Sequence, residues 1–350
     1  MMKGKFEKTK NVIPEGCDGI LLTSEVNEYY ATAFAYTDGY AFVTPKETYL
    51  ITDSRYIEAA EASEGTVKVL LKGGALKELF TDLNVKKVGF EDLCVTVSEL
   101  QSFKERFADI EFVPIGNAVD KLREFKDDDE LENIVKAQSI ADAAFEHVLG
   151  FISTDRTEKE VALELEVYMR THGADCVAFE TIAVSGTASS MPHGVPRDVK
   201  VQKGFLTMDF GAKYLGYCSD MTRTVVVGKA DEDMKKLYYT VKAAQEAALE
   251  AAVPGADLAG LDKIARDIID KDYPGTFGHS LGHGVGLYIH EMPSVSGWRP
   301  GVKLSPGHVI TVEPGIYIAG KYGCRIEDMV LHYSDGCRDI SKSPKNLIEI

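Results

Sequence analysis

Four carboxylates stand in stretches whose neighbours belong in a hydrophobic interior. Asp209 lies in Phe205-Leu206-Thr207-Met208-Asp209-Phe210-Gly211, and Asp220 shortly precedes the apolar Val225-Val226-Val227. A turn at Lys213-Tyr214-Leu215-Gly216 folds these stretches into a hairpin. With Tyr214-Leu215 as a two-residue loop, Asp209 and Asp220 lie directly opposite on one face, and a bulge at Gly216 moves that by one residue. Glu313, in Ile310-Thr311-Val312-Glu313-Pro314, and Glu327, in Arg325-Ile326-Glu327-Asp328-Met329, repeat the arrangement, with the turn Ala319-Gly320-Lys321-Tyr322 midway between them. A lone Asp in a strand is ordinarily an edge or turn residue. Two such pairs carry more weight, because like charges facing each other across strands are destabilising and burying them unpaired costs several kcal/mol per ion. Arg223 and Arg325 offset two of the four charges at most, and raised pKa values are the other escape. Two divalent cations offset all four and leave room for a neutral imidazole. Oxygen-rich ligation with one imidazole suits Mn²⁺, Co²⁺ or Zn²⁺.

The imidazole candidate is His283, inside the Gly-rich run Gly278-His279-Ser280-Leu281-Gly282-His283-Gly284-Val285-Gly286. Glycines there permit tight turns and close backbone approach. The run is not a dinucleotide fingerprint following a strand, so nucleotide binding is rejected. His279 and His290 flank it, and His193 sits in the Pro/Gly turn Met191-Pro192-His193-Gly194-Val195-Pro196, the kind of loop that carries function. His147, His172 and His332 read as ordinary structural imidazoles, and His308, in Ser305-Pro306-Gly307-His308, as a turn residue with no evident partner. The chain has no GxSxG elbow, and neither Cys176 nor Cys218 stands in a local signature of an activated thiolate, so covalent Ser or Cys catalysis is the weaker chemistry.

These residues need a scaffold, and 350 residues are comfortable for two domains. Residues 19–53 read as short strands and turns, followed by helices at Tyr56–Ala62 and Gly74–Leu83, a strand at Lys87–Phe90 and a helix at Val97–Phe107, which together make an α/β domain. The linker is expected near Pro114–Asp129. A long helix then starts with Asp128 as its cap, and a second follows the capping box of Thr157 and Glu160. Strands are predicted at Thr181–Ser185, Phe205–Ala212 and Met221–Val227, then helices at 231–252 and 258–271, then strands at Val309–Pro314, Ile316–Ala319, Cys324–Leu331 and Asn346–Glu349. The order helix, helix, strands, occurring twice, suggests an internal duplication. The formal net charge of −16 argues against nucleic acid or an anionic membrane as the main partner. No apolar run approaches the ~20 residues that span a bilayer, and the first residues carry no apolar leader segment. Six scattered cysteines without a CxxC fit free thiols in a reducing, cytoplasmic setting.

The stretches MDFGAKYLGYCSDMTRT, GHSLGHGVGLYIHEMP, VITVEPGIY and RIEDMV resemble the pita-bread metallopeptidases, the group of aminopeptidase P, prolidase and methionine aminopeptidase. The resemblance covers most of residues 123–350. Upstream, NEYYATAFAYTDGYAFVTPKETYLITDSRY resembles the amino-terminal domain of the aminopeptidase P/prolidase branch, and Ser189-Ser190-Met191-Pro192-His193 is similar to the proline-peptidase form. The resemblance implies a two-domain α/β chain: a small creatinase-like α/β domain over 1–120, then an α+β pita-bread domain with pseudo-twofold duplication over 123–350. It also implies the ligand roles. Asp209 would chelate one metal, His283 and Glu313 would complete the other site, and Asp220 and Glu327 would bridge the pair, with Mn²⁺ the expected ion and Co²⁺ or Zn²⁺ the alternatives. On that resemblance the two ions would supply an acidified water for attack on the scissile carbonyl, Glu313 would shuttle the proton, and His193 and His290 would steady the carbonyl and the oxyanion. His279 and Arg325 orient the ligands. Arg55 and Tyr56 are expected to reach an active site across a homodimer interface. The implied activity is that of an Xaa-Pro aminopeptidase acting on proline-containing peptides, with an Xaa-Pro dipeptidase as the alternative. A non-catalytic binding module or a metal-free creatinase-like hydrolase is disfavoured, because none of the five ligands is missing.

Overall fold

A computed structural model of the chain describes residues 4–36, 38–63, 67–71 and 73–350. They fall into two compact units, Met1–Arg123 and Glu124–Ile350.

The first unit is built on a six-stranded mixed sheet. Its strands are β1 (Gly19–Leu22), β2 (Tyr40–Val43), β3 (Thr48–Thr52), β4 (Val67–Leu71), β5 (Lys87–Phe90) and β6 (Glu111–Pro114), in the order β4-β3-β2-β1-β5-β6. β1–β2 and β2–β3 are antiparallel hairpins, and the remaining pairs are parallel. Leu21, Phe42, Ile51 and Val88 meet Leu79, Phe80, Phe103 and Phe107 from the helices and following turns in one core. The expectation of strands and turns alone across 19–53 fails at Glu25–Thr32, which is a helix. Its buried positions include Asn27, Glu28 and Thr32, so it shows no apolar stripe to read. The stretch expected as a linker holds another helix, Ala118–Arg123.

In the second unit the chain forms two helix pairs, each packed on carboxylate-bearing strands. Counting on from α1 (Phe6–Thr9), α2 (Glu25–Thr32), α3 (Ile57–Ala62), α4 (Ala75–Asp82), α5 (Val97–Arg106) and α6 (Ala118–Arg123), the first pair is α7 (Asp128–Leu149) and α8 (Glu158–Thr171). α7 is capped by Asp127 rather than Asp128, because Glu130 sits three residues beyond Asp127 and completes the reciprocal box. α8 starts at the expected box of Thr157 and Glu160. The pair packs on strands that follow it: β7 (Cys176–Val177), β8 (Ile182–Ser185), β9 (Gly204–Phe210), β10 (Ala212–Tyr214), β11 (Tyr217–Cys218) and β12 (Met221–Val227). Leu206, Met208 and Phe210 of β9 join Phe145, Leu165 and Val225 in that core, while Phe205 joins the other. Strand alternation therefore turns Asp209 away from the α7–α8 side.

The second pair is α9 (Glu232–Ala251) and α10 (Leu258–Ile269). After it come β13 (Gly282–Gly284), β14 (Glu291–Val295), β15 (Val309–Val312), β16 (Gly315–Ile318), β17 (Tyr322–Arg325), β18 (Asp328–Tyr333) and β19 (Gly336–Asp339). Their main sheet runs β14-β13-β15-β18-β19, and β16–β17 forms a separate ribbon. The duplicated pattern of a helix pair followed by a carboxylate hairpin thus stands in the fold. The predicted strand Cys324–Leu331 is two strands in different sheets, broken at Ile326-Glu327. Residues 346–349 make an isolated bridge, Val226 to Glu349, instead of a strand. No helix among the described residues is long and apolar enough to cross a membrane.

Candidate metal centre

Turn chemistry sets where the first two carboxylates fall. β10 pairs with β11 as Lys213↔Cys218 and Tyr214↔Tyr217, so the loop is Leu215-Gly216, one residue later than expected. Both loop residues have positive φ, 46° and 78°, as a primed hairpin turn requires. The ladder of β9 and β12 then places Asp209 opposite Thr222. Asp220 is displaced by two residues from the predicted partnership. Because the shift is even, Asp209 and Asp220 still share a face, as diagonal neighbours.

The second hairpin behaves as expected, with an added device. Val312↔Asp328 and Gly315↔Arg325 keep one register through two sheets, so Glu313 and Glu327 lie across from each other in the gap between them. Pro314 has no N–H to extend the ladder. The Glu313 N–H donates instead to the Leu281 carbonyl at 2.8 Å, and the Glu327 N–H to the Thr222 carbonyl at 3.1 Å. Each glutamate is thereby tied to a different part of the chain, Glu313 to the residue before the strand of His283 and Glu327 to the strand that Asp220 immediately precedes.

β13 brings His283 between β14 and β15. A Cβ at Gly282 would lie 2.1 Å from the Thr311 carbonyl oxygen, and one at Gly284 2.2 Å from that of Met292. The glycines flanking His283 serve backbone approach. The His283 ring bonds through Nδ1 to the Gly284 carbonyl at 3.1 Å, which makes Nδ1 the protonated nitrogen. Burial, then the neighbouring His290, holds the imidazole down to about 4, so the ring is neutral at pH 7. Its bare Nε2 faces Asp220 Oδ2 and Glu313 Oε1, each at 3.4 Å.

A lone pair aimed at two carboxylates is an arrangement that asks for a cation. Asp220, His283 and Glu327 each offer a ligand atom within 4.8 Å of the others. Glu327 Oε2 accepts from the Thr222 hydroxyl at 2.7 Å, whereas its buried Oε1 has no hydrogen-bond partner. Asp209 is alike: Oδ2 takes Arg325 at 2.5 Å, and buried Oδ1 takes none. Burial, followed by Glu327, Asp209 and Glu313, pushes Asp220 well above the usual carboxylate range. Burial, with Glu313 and Asp209, does the same to Glu327. Glu313 is pushed by burial up to about 8, against the nearby Arg325. Orphaned oxygens, an unprotonated imidazole nitrogen and crowded anions all fit divalent metal. Arg223 does not relieve them, because its guanidinium pairs with Asp328 at 2.6 Å.

Asp209, Asp220, His283, Glu313 and Glu327 line an open cavity of about 420 Å³ together with His193, His279, His290 and Arg325. Arg325 also donates to the Thr222 hydroxyl, the Pro192 carbonyl and the Tyr317 hydroxyl. His279 is held between the Ser280 carbonyl and Tyr317, at 2.9 and 3.0 Å. Among the described residues, neither the His193 nor the His290 ring is hydrogen-bonded to another protein group, and the His290 ring stands 4.4 Å from that of His283. Sequence reasoning missed Phe179, Ile182 and Ile289, which give the cavity its apolar wall, and Tyr317 beside Arg325. Nothing in their local sequence marks them, although Tyr317 follows Glu313 closely enough to have been suspected. Arg55 and Tyr56 belong to the first unit, where Arg55 pairs with Asp53 at 2.6 Å and Asp38 at 2.8 Å.

Two family models match the chain: metallopeptidase family M24 over residues 132–333 and the creatinase/prolidase N-terminal domain over 13–125. The Xaa-Pro dipeptidase of Pyrococcus furiosus is 39% identical over 352 residues, covering 99% of this chain and 100% of that protein. Among solved structures, the Xaa-Pro dipeptidase from Bacillus anthracis superposes with a TM-score of 0.93 at 41% identity, covering 99% of each chain. The X-Pro aminopeptidase from Thermotoga maritima gives 0.89 at 37% identity, covering 96% of this chain and 98% of that one.

Proposed function

The chain belongs to metallopeptidase family M24, and on that footing we propose that it is an Xaa-Pro dipeptidase, cleaving the bond between a first residue and a C-terminal proline. What supports this is the five candidate ligands, two of them with orphaned oxygens, around one cavity, in a chain similar end to end to Xaa-Pro dipeptidases. These relatives support the dipeptidase alternative better than the aminopeptidase reading. The aminopeptidase reading stays second, supported by the likeness to the Thermotoga enzyme.

Asp209, Asp220, His283, Glu313 and Glu327 would hold the ions. Divalent metal, when bound, supplies Lewis acidity and an acidified water for peptide hydrolysis. The protein's own groups do the rest. Glu313 Oε1 accepts from the Thr311 hydroxyl at 3.3 Å and faces the bare His283 nitrogen at 3.4 Å, so Oε2, 4.0 Å from His279 Nδ1, is the oxygen that carries a proton to the departing proline nitrogen. Burial holds the His290 pKa down, so its neutral ring can donate an N–H to developing charge on the carbonyl oxygen. His193 holds the substrate carbonyl, or a dipeptide's terminal carboxylate, from the facing loop. An Xaa-Pro bond has no N–H and a fixed φ. A site anchored through metal does not need that N–H, and the walls of Phe179, Ile182 and Ile289 suit a pyrrolidine ring.

The oxygen-rich donor set with one imidazole supports Mn²⁺ as the working ion. A homodimer in which Arg55 and Tyr56 serve the neighbouring copy remains our expectation, and the six free thiols suit a reducing cytoplasm. The test is a panel of Xaa-Pro dipeptides and Xaa-Pro-Yaa tripeptides on chelated enzyme reloaded with Mn²⁺, Co²⁺ or Zn²⁺ separately. Dipeptides should be the better substrates. Preference for tripeptides would move the assignment to aminopeptidase, and cleavage of peptides without proline would defeat both.

A further inference from the structure

Both ends of the segment that carries His193 converge on a single carboxylate. Glu158, the first residue of α8, is fully buried. Its Oε1 accepts from the Ser185 N–H and hydroxyl, each at 2.8 Å, and from the Arg197 guanidinium at 2.6 Å. Its Oε2 accepts from the Arg197 N–H at 3.0 Å and from Arg197 Nε at 2.8 Å. Ser185 ends the strand before the segment, and Arg197 lies just after it. The helix adds its own open N–H groups: Glu158 donates to the Val199 carbonyl at 3.1 Å and Lys159 to the Arg197 carbonyl at 3.3 Å.

At its other side the segment meets the metal centre. Arg325 donates to the Pro192 carbonyl at 3.1 Å, and Gly323 donates to the Ser189 hydroxyl at 3.0 Å. The segment is thus suspended between Glu158 at its base and Arg325 at its tip. The His193 ring has no protein hydrogen bond of its own among the described residues, so its place in the cavity comes from these backbone anchors. A carboxylate with five charge-assisted or neutral donors on two oxygens is a rigid anchor. Burial by itself would raise Glu158, but these donors, led by Arg197, bring it below the usual range. It stays anionic throughout neutral pH.

We propose that Glu158 is a positioning residue for catalysis: by gathering Ser185 and Arg197 it fixes the loop that presents the His193 imidazole to substrate. The inference rests on the role proposed above for His193. It places a determinant of turnover at the far end of a loop, on a helix that has no part in the ligand set.

The test is a double-mutant cycle on the metal-loaded, full-length enzyme. Glu158→Gln should lower kcat on the order of 100-fold, the cost of a small misplacement, with little change in KM or in metal content. In a His193→Ala background the same substitution should change kcat by less than about twofold, since no imidazole is left to misplace. If the two losses multiply instead, Glu158 does not act through His193 and the proposal fails. Full turnover by His193→Ala alone would sink the role of His193, and this inference with it. Should Glu158→Gln not fold, Arg197→Gln enters the same cycle, because that side chain is 37% exposed. The same non-additivity is required of it.

Discussion

Chelated protein should become less stable as pH rises from about 6.5 to about 8, the reverse of what clustered carboxylates in salt bridges would give. Glu313 ordinarily titrates near 4.5, and burial moves it to about 8 in the metal-free fold. A group whose folded pKa is raised contributes stability that is complete below its unfolded value and is lost as pH climbs to the folded one. The slope is about 1.4 kcal/mol per pH unit, so Glu313 alone removes about 2 kcal/mol across this interval. Asp220 and Glu327 are raised for the same reasons and steepen the fall. Burial also raises Glu91, which acts in the same direction, and raises Asp339 only to about 6, below this window. Glu158 and Asp328 are lowered, and their contribution is already complete above the usual carboxylate range. His279, His283 and His308 are each held down to about 4, so they favour stability with rising pH only below about 6.5. Bound metal keeps the carboxylates ionised, and at a thousandfold excess over Kd it adds about 4 kcal/mol. The assay is urea unfolding followed by circular dichroism at several pH values, with and without saturating Mn²⁺. Metal addition in weak buffer near neutrality should also release protons. Metal-free stability that holds level or rises through the window, or a slope that Mn²⁺ leaves untouched, would refute the electrostatic account of this site.

Three further outcomes follow from particular contacts. Asp220→Asn should abolish turnover and weaken metal binding in calorimetric titration, yet stabilise the chelated protein above about pH 7, because one crowded anion is gone. Asp328→Asn leaves the buried Arg223, paired at 2.6 Å, without its counter-charge. It should cost about 3–5 kcal/mol in urea unfolding, although residue 328 ligates nothing. Thr157→Ala removes the acceptor of the Glu160 N–H at 3.1 Å at the start of α8 and should cost about 1 kcal/mol. Its kcat should hardly move, since the Glu158 anchor remains.

Local patterning made much of the scaffold readable. The spans Lys87–Phe90 and Met221–Val227 appear as strands at the residues expected, and the Thr157–Glu160 box starts a helix, because alternation and capping are short-range properties. α2 escaped notice because its buried face includes the polar Asn27, Glu28 and Thr32, and the bond from Asn27 to the distant Glu91 is one that periodicity does not encode. The same division runs through the centre itself. Carboxylates in apolar strands, and an imidazole between glycines, are visible as residue types at spacings, and they already demand cations.

What the chain order by itself determined is the presence of those anions on two hairpins and the type of most local elements around them. The facing of Glu313 and Glu327 was readable from the turn midway between them, but the partner of Asp209 was settled only in three dimensions. Leu215 adopts a left-handed conformation that no side-chain rule foretells, and so moves the first register by two residues. The glutamates are fixed by N–H bonds to Leu281 and Thr222, distant in sequence. Arg223 and Arg325 look interchangeable along the chain. One pairs with Asp328 and the other with Asp209 because a guanidinium bonds whichever carboxylate the packed sheets bring within reach, and only packing decides that.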